Sequence, residues 1–151
     1  MKKTPISMVF VCEGNSCRSV MAEALAKHVL GAQLRVQSAG TSPEAMYDSK
    51  NATMTLQSMF GLSVRGHRQT NVRDLDLDKY TYVIAMDSAI AKSLAKLTRR
   101  RIVTWRIQDP WGRDPVEYHQ CALKILEHIQ EFATLIRGRD MRKKKRAQAC
   151  R

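Results

Sequence analysis

Residues 9–23 read Val9-Phe10-Val11-Cys12-Glu13-Gly14-Asn15-Ser16-Cys17-Arg18-Ser19-Val20-Met21-Ala22-Glu23. A β-branched and apolar run ends in Cys12. A short loop holding Gly14 and Asn15 follows, and after Arg18 and Ser19 the residues favour a helix. A cysteine and an arginine, with five residues between them, therefore sit on a strand-to-helix turn. Backbone N–H groups of a tight loop entering a helix N-terminus converge on an anion. The planar fork of Arg18 matches two oxygens of a phosphate at once. The same positive field favours a thiolate at Cys12, so one loop both binds an oxyanion and supplies a nucleophile. A cysteine buried at the end of a core strand is the plainer reading of Cys12, but it leaves the arginine and the glycine unexplained.

Outward from this turn, strands and helices alternate. Residues 6–11, 34–38, 82–86 and 102–105 read as strands. Residues 21–30 and 51–60 read as helices stopped by Gly31 and Gly61, and Ser88 is placed to cap a third helix reaching about Leu97. After Pro115, the residues Tyr118, Cys121, Ile125, Ile129 and Phe132 recur at helical spacing. This order predicts an α/β fold: one domain, a four-stranded parallel sheet with helices on both faces, a Rossmann-like three-layer sandwich. In such sheets ligands bind beyond the carboxyl ends of the strands. Cys12, Asp87 and the loop around Asp109 all fall there, so residues distant in sequence are expected to share one rim.

The chain has 151 residues, enough for one domain with a buried core. No apolar run reaches the length of a membrane span, and the short apolar run after Lys2 and Lys3 is unlike a signal peptide. Four cysteines without a dense framework suit a reducing compartment, and a cytoplasmic setting is expected. The net charge of +12 is concentrated at the end of the chain, where Arg137, Arg139, Arg142, Lys143, Lys144, Lys145, Arg146 and Arg151 face only Asp140. Residues 1–137 are expected to form the phosphate-handling domain and residues 138–151 a basic, disordered tail. An anionic partner for that tail is conceivable on charge, although no aromatic residues interleave the cations as a base-stacking site requires. The histidines show no metal-ligand spacing, and neither metal nor cofactor is expected.

The Cys12–Arg18 loop resembles the phosphate-binding loop of the low molecular weight protein tyrosine phosphatases and of the related thioredoxin-coupled arsenate reductases. Later segments resemble the family's landmarks in the family's order: Ser38-Ala39-Gly40-Thr41, Gly66-His67-Arg68, Ala85-Met86-Asp87 and Asp109-Pro110-Trp111-Gly112. The resemblance spans roughly residues 6 to 136. It implies a phosphomonoester hydrolase that works through a phosphocysteine intermediate, with a phosphorylated protein or peptide as substrate and inorganic phosphate as product and inhibitor.

Within that resemblance Cys12, Arg18 and Asp109 are the expected catalytic residues. Cys12 attacks phosphorus, Arg18 and the loop N–H groups hold the equatorial oxygens, and Asp109 protonates the leaving oxygen. Glu13, Gly14, Asn15, Ser16 and Cys17 complete the substrate-binding loop, and Trp111 walls an aromatic substrate. Ser19, His67 and Asp87 are expected in support, Ser19 on the cysteine sulfur and His67 bracing Asn15; capping the following helix is the competing reading of Asp87, compatible with the first. Tyr47 is a weaker candidate for a second wall. The equivalent of Cys17 in some relatives forms a disulfide with the nucleophile; a structural thiol is the competing reading.

Two residues depart from the phosphatase pattern. Glu13 places a carboxylate where an apolar or small residue is usual, and repels a phosphate dianion if it faces the pocket. Ser16 stands where the phosphatases carry isoleucine and is more typical of arsenate reductases. Arsenate reduction, the alternative, needs further cysteines on a mobile segment, and none lies between Cys17 and Cys121. Phosphoarginine hydrolysis is the other variant of the same chemistry.

Overall fold

The computed structural model describes residues 5–31 and 34–149. Four parallel strands, β1 (Ser7–Cys12), β2 (Arg35–Gly40), β3 (Tyr82–Ala85) and β4 (Ile102–Thr104), form one sheet in the order β2-β1-β3-β4. The helices are α1 (Arg18–Leu30), α2 (Lys50–Phe60), α3 (Ser88–Leu94) and α4 (Pro115–Ala149). The expected α/β sandwich is thus the observed one.

The alternation of side chains along β1 divides the core in two. Met8, Phe10 and Cys12 join a cluster with Met21 and Leu25 of α1, Leu56 of α2 and Ile125 and Ile129 of α4. Val9 and Val11 point to the other face, against Ile90 and Leu94 of α3 and the single 3-10 turns at Val72–Asp74 and Leu77–Lys79. Every one of these β1 side chains is buried. A parallel strand covered on both faces must be apolar throughout, which is why residues 7–11 carry no polar alternation past Ser7. Phe10 also packs on Trp105 with ring centroids 5.4 Å apart. Burying a side chain of this size contributes about 1.5–3 kcal/mol.

The parallel register puts Cys12 beside Gly40 and Val11 beside Ala85. The nucleophile loop therefore leaves the sheet between β2 and β3, and Gly40 makes room for it. A Cβ on Gly40 would come within 2.5 Å of the Glu13 carbonyl and 2.9 Å of the Asn15 nitrogen.

Some sequence boundaries shift. The cap of α3 is Asp87 rather than Ser88: its carboxylate accepts from Ile90 N at 2.9 Å, and the helix stops at Leu94. α2 ends as expected, with Gly61 left-handed at φ 64° and its N–H returned to the helix carbonyls. The largest departure is at the C-terminus, where the expected disordered tail is helical. α4 is 35 residues long and continues through residues 138–149 without a break. Arg139 ties this extension to the sheet by donating to the Tyr82 hydroxyl at 2.7 Å, beyond the Tyr82–Phe132 ring contact. Cys150 and Arg151 lie outside the described residues, as do Lys2 and Lys3.

Candidate active site

α1 begins at Arg18 with Cys17 as its first flanking residue, and no side chain caps it. No acidic residue occupies its first turn. The orphan N–H groups that a serine or aspartate would ordinarily take are left to an external anion.

The loop is held in a strained form. Asn15 has φ 51°, the one left-handed residue other than glycine among those described, and asparagine tolerates this better than most. Its side chain is fixed from both ends. Oδ1 accepts from Thr70 N at 2.9 Å, which sets the amide orientation, so Nδ2 donates to Ser19 Oγ at 2.9 Å. The Ser19 oxygen is then an acceptor on that side, and its own proton points to Cys12 Sγ, 2.9 Å away. Asn15 N also donates to this sulfur at 3.2 Å. The Cys12 sulfur thus receives two hydrogen bonds. His67 Nε2 lies 2.8 Å from the Asn15 carbonyl, and Gln69 Nε2 donates toward the carbonyls of Gly14, Glu44 and Tyr47 at 2.9, 3.0 and 2.9 Å.

Arg18 is 3% exposed, and its three nitrogens are used unequally. Nη1 donates to Asp87 Oδ2 at 2.7 Å and to the Ile107 carbonyl at 2.9 Å. Nη2 makes a long contact of 3.4 Å with Asp109 Oδ2. Nε is buried with no partner. The Nε and Nη2 hydrogens share one edge of the guanidinium, so Asp87 holds one end while a two-pronged edge stays available for an oxyanion. Burial disfavours the Arg18 charge, but Asp87, Asp109 and Cys12 outweigh it and push its pKa up. Burial likewise works against the Asp87 carboxylate, yet bonds from Ile90 and Arg18 hold it below the ordinary range.

Cys12, Gly14, Ser16 and Cys17 floor a small recess, and Glu13, Tyr47, Asp109 and Trp111 stand at its lip. Trp111 is 42% exposed and meets Tyr47 edge-on with centroids 5.1 Å apart. Asp109 turns one oxygen to Trp111 N at 3.1 Å and the other to Arg18. Glu13 is exposed, its carbonyl held by Ser42 N. Ser16 is buried, with its hydroxyl 3.7 Å from Cys17 Sγ. Cys12, Cys17 and Cys121 are free thiols. Cys17 faces the Tyr118 hydroxyl at 3.3 Å; burial raises its pKa despite hydrogen bonds from Tyr118 and Ser16, so it stays a neutral thiol. Cys121, buried on α4, is pushed up to about 12 by desolvation.

Every residue expected from the sequence falls on or directly behind this recess. Sequence reading undervalued Tyr47 and missed Gln69 and Tyr118. Gln69 follows the Gly66-His67-Arg68 landmark closely enough to have been a candidate, but a glutamine in a loop carries no chemical signature of its own.

Residues 7–147 match the family described as low molecular weight phosphotyrosine protein phosphatase. The chain belongs to that family. A low molecular weight phosphotyrosine protein phosphatase of Saccharomyces cerevisiae is 31% identical, over 87% of this chain and 96% of that protein. An arsenate reductase of Brevibacillus brevis is 33% identical, over 87% of this chain and 95% of its own length. Among solved structures, the YwlE arginine phosphatase of Geobacillus stearothermophilus superposes with a TM-score of 0.82 at 25% identity, covering 91% of this chain and 97% of that one. Family membership makes the chain a phosphatase, a phosphoric monoester hydrolase. Among the described residues no helix is long and apolar enough to cross a membrane.

Proposed function

We propose that the chain hydrolyses phosphotyrosine in proteins through a phosphocysteine intermediate on Cys12. The observation that carries this reading is the unpartnered Nε edge of a buried Arg18 beside a cysteine that receives two hydrogen bonds. A phosphate dianion fits that edge and the uncapped first turn of α1 together. Cys12 attacks phosphorus in line, and the ester oxygen leaves toward Asp109, which gives it a proton. Asp109 then takes a proton from the water that cleaves the S–P bond, releasing inorganic phosphate and the thiolate. Ser19 and Asn15 N hold the sulfur as a leaving group in that second step. Glu13, Gly14, Asn15, Ser16, Cys17 and Arg18 contribute the loop, and Trp111 with Tyr47 clasps an aromatic ring. Inorganic phosphate, filling the same cradle, inhibits. A thiol nucleophile suits a reducing cytoplasm.

An arsenate reductase is among its relatives, but the described residues offer no thiol relay. Of the remaining cysteines among the described residues, Cys17 is bonded to Tyr118 and Cys121 is buried in α4.

The test is a side-by-side assay of p-nitrophenyl phosphate, phosphotyrosine and phosphoarginine peptides, and arsenate with thioredoxin or glutathione. Phosphotyrosine hydrolysis should dominate, and Cys12→Ser should abolish it while leaving the fold intact. Comparable turnover by that variant would rule out the covalent route, and faster arsenate reduction would reassign the substrate.

A further inference from the structure

The end of the molecule opposite the recess carries a second anion-directed surface. α4 starts beside the phosphate loop, where Tyr118 meets Cys17, and passes Tyr82 at the amino end of β3. Past Arg139 it runs for ten more residues, about 15 Å at the usual helical rise. Between residues 137 and 146 it has seven cations, all exposed, and one carboxylate, Asp140. At about 100° per residue they fall on two sides of the rod. Arg139, Arg142, Lys143 and Arg146 share one side and line a groove with Leu135. Arg137 and Lys144 lie roughly opposite, with Lys145 between. A second element extends the first side: Arg100 and Arg101, just before β4, border an adjoining groove that again includes Leu135 and Arg139.

We propose that this basic pole binds the phosphate backbone of double-stranded nucleic acid without sequence preference. Three observations select the partner. Cations on opposite sides of a projecting helix meet phosphates on both walls of a groove, and a helix of about 10–12 Å diameter fits a major groove about 12 Å wide. An anionic bilayer meets only one side. The exposed apolar residues, Leu135 and Met141, lie well apart around the helix and form no stripe to enter lipid. The exposed cations have no exposed aromatic residue among them on which bases of a single strand could stack. Like charges at spacings of three and four, as in Arg139–Arg142 and Arg142–Arg146, also repel along the helix, so a bound polyanion should firm up this segment.

The experiment is fluorescence anisotropy of a labelled 20-base-pair mixed-sequence duplex with the full chain, repeated between 50 and 200 mM salt. For about five neutralised phosphates the affinity should fall on the order of 10²–10³-fold over that range. The triple variant Arg142→Glu, Lys143→Glu, Arg146→Glu should lose at least tenfold at low salt, while its turnover of p-nitrophenyl phosphate stays at the parent level. The neutral triple Arg142→Gln, Lys143→Gln, Arg146→Gln, which keeps good helix formers, should flatten the salt slope by about three. Saturating duplex should leave turnover of the small substrate unchanged. The proposal is overturned by an absence of duplex binding at 50 mM salt, or by triple variants that bind like the parent. It is equally overturned by tighter binding to phosphatidylserine vesicles than to duplex, or by a duplex that competes with the substrate. The Cys12 chemistry is read separately, from turnover of p-nitrophenyl phosphate in the absence of duplex.

Discussion

In the proposed reaction Ser19 and Asp109 act on the two atoms whose charge changes most, the sulfur and the leaving oxygen. The direction of the Ser19 bond follows from Thr70 N fixing the Asn15 amide, so the hydroxyl proton has one place to go. Ser19→Ala removes a bond to a charged sulfur worth about 1.5–3 kcal/mol. Because that bond stabilises the thiolate both as attacking and as departing group, breakdown of the phosphocysteine should suffer most. A rapid-mixing experiment should show a larger burst of alcohol release followed by slower turnover. Equal slowing of burst and steady state would mean the serine only shapes the loop. For Asp109→Asn the contrast lies between substrates. Aryl phosphates with acidic leaving groups should be slowed much less than alkyl phosphates, since only poor leaving groups depend on a proton. A uniform loss across leaving groups would assign Asp109 to structure. Cys12, Arg18 and Asp109 stood out in the sequence because each has a chemistry tied to residue type, and the fold brings the three together. Gln69 was not legible, because its work is to pin three carbonyls that only the folded loop brings together.

Among the elements, the strand-loop-helix unit was readable because its apolar period changes at Cys12, and Gly61 marked the end of α2 through its left-handed turn. The caps were harder. Ser88 and Asp87 are both good capping residues, and only the ion pair with Arg18 shows why the aspartate holds the position. The extension of α4 was misread because a run of like charges argues against a helix, whereas here it grows from one already anchored by Phe132 and Arg139. Asp87 joins two elements, capping α3 and holding Arg18 of α1. Its folded pKa is depressed, so its contribution to stability is present above the ordinary aspartate value near 3.9 and is lost as pH falls through the lower folded value. Asp87→Asn keeps a capping side chain and weakens only the pair with Arg18, so it should cost about 1 kcal/mol at neutral pH, a figure held down by the partial exposure of the carboxylate. Denaturant midpoints of parent and variant should converge as the pH drops below that value. A gap that persists unchanged in acid would show that the carboxylate charge contributes nothing.

Across the whole molecule, charge is divided. The chain carries +12 overall, yet Glu13 and Asp109 stand at the mouth of the recess and Glu44 lies close enough to act on Tyr47 there. Their combined field is registered by the Tyr47 hydroxyl, whose pKa is raised by Glu44 first, then by slight burial, Glu13 and Asp109. In the proposed complex Arg18 and the first turn of α1 draw in a phosphate dianion, while the groups flanking it on a peptide meet carboxylates. Peptides with lysine or arginine next to the phosphotyrosine should therefore bind better than peptides with glutamate there. At an exposed rim each such pair is worth about 0.2–1 kcal/mol, so the preference in KM should be up to about fivefold per pair. Because the groups are wet, raising salt should erode it. Glu13→Gln should narrow the difference between basic and acidic peptides and leave kcat on p-nitrophenyl phosphate, which has no flanking charge, close to the parent value. The decisive measurement is kcat/KM for the matched peptide pair at low and high salt, with and without the Glu13 carboxylate. If the parent makes no distinction at low salt, the mouth does not select by charge. If the distinction survives in Glu13→Gln, Glu44 and Asp109 carry it and Glu13 points to solvent.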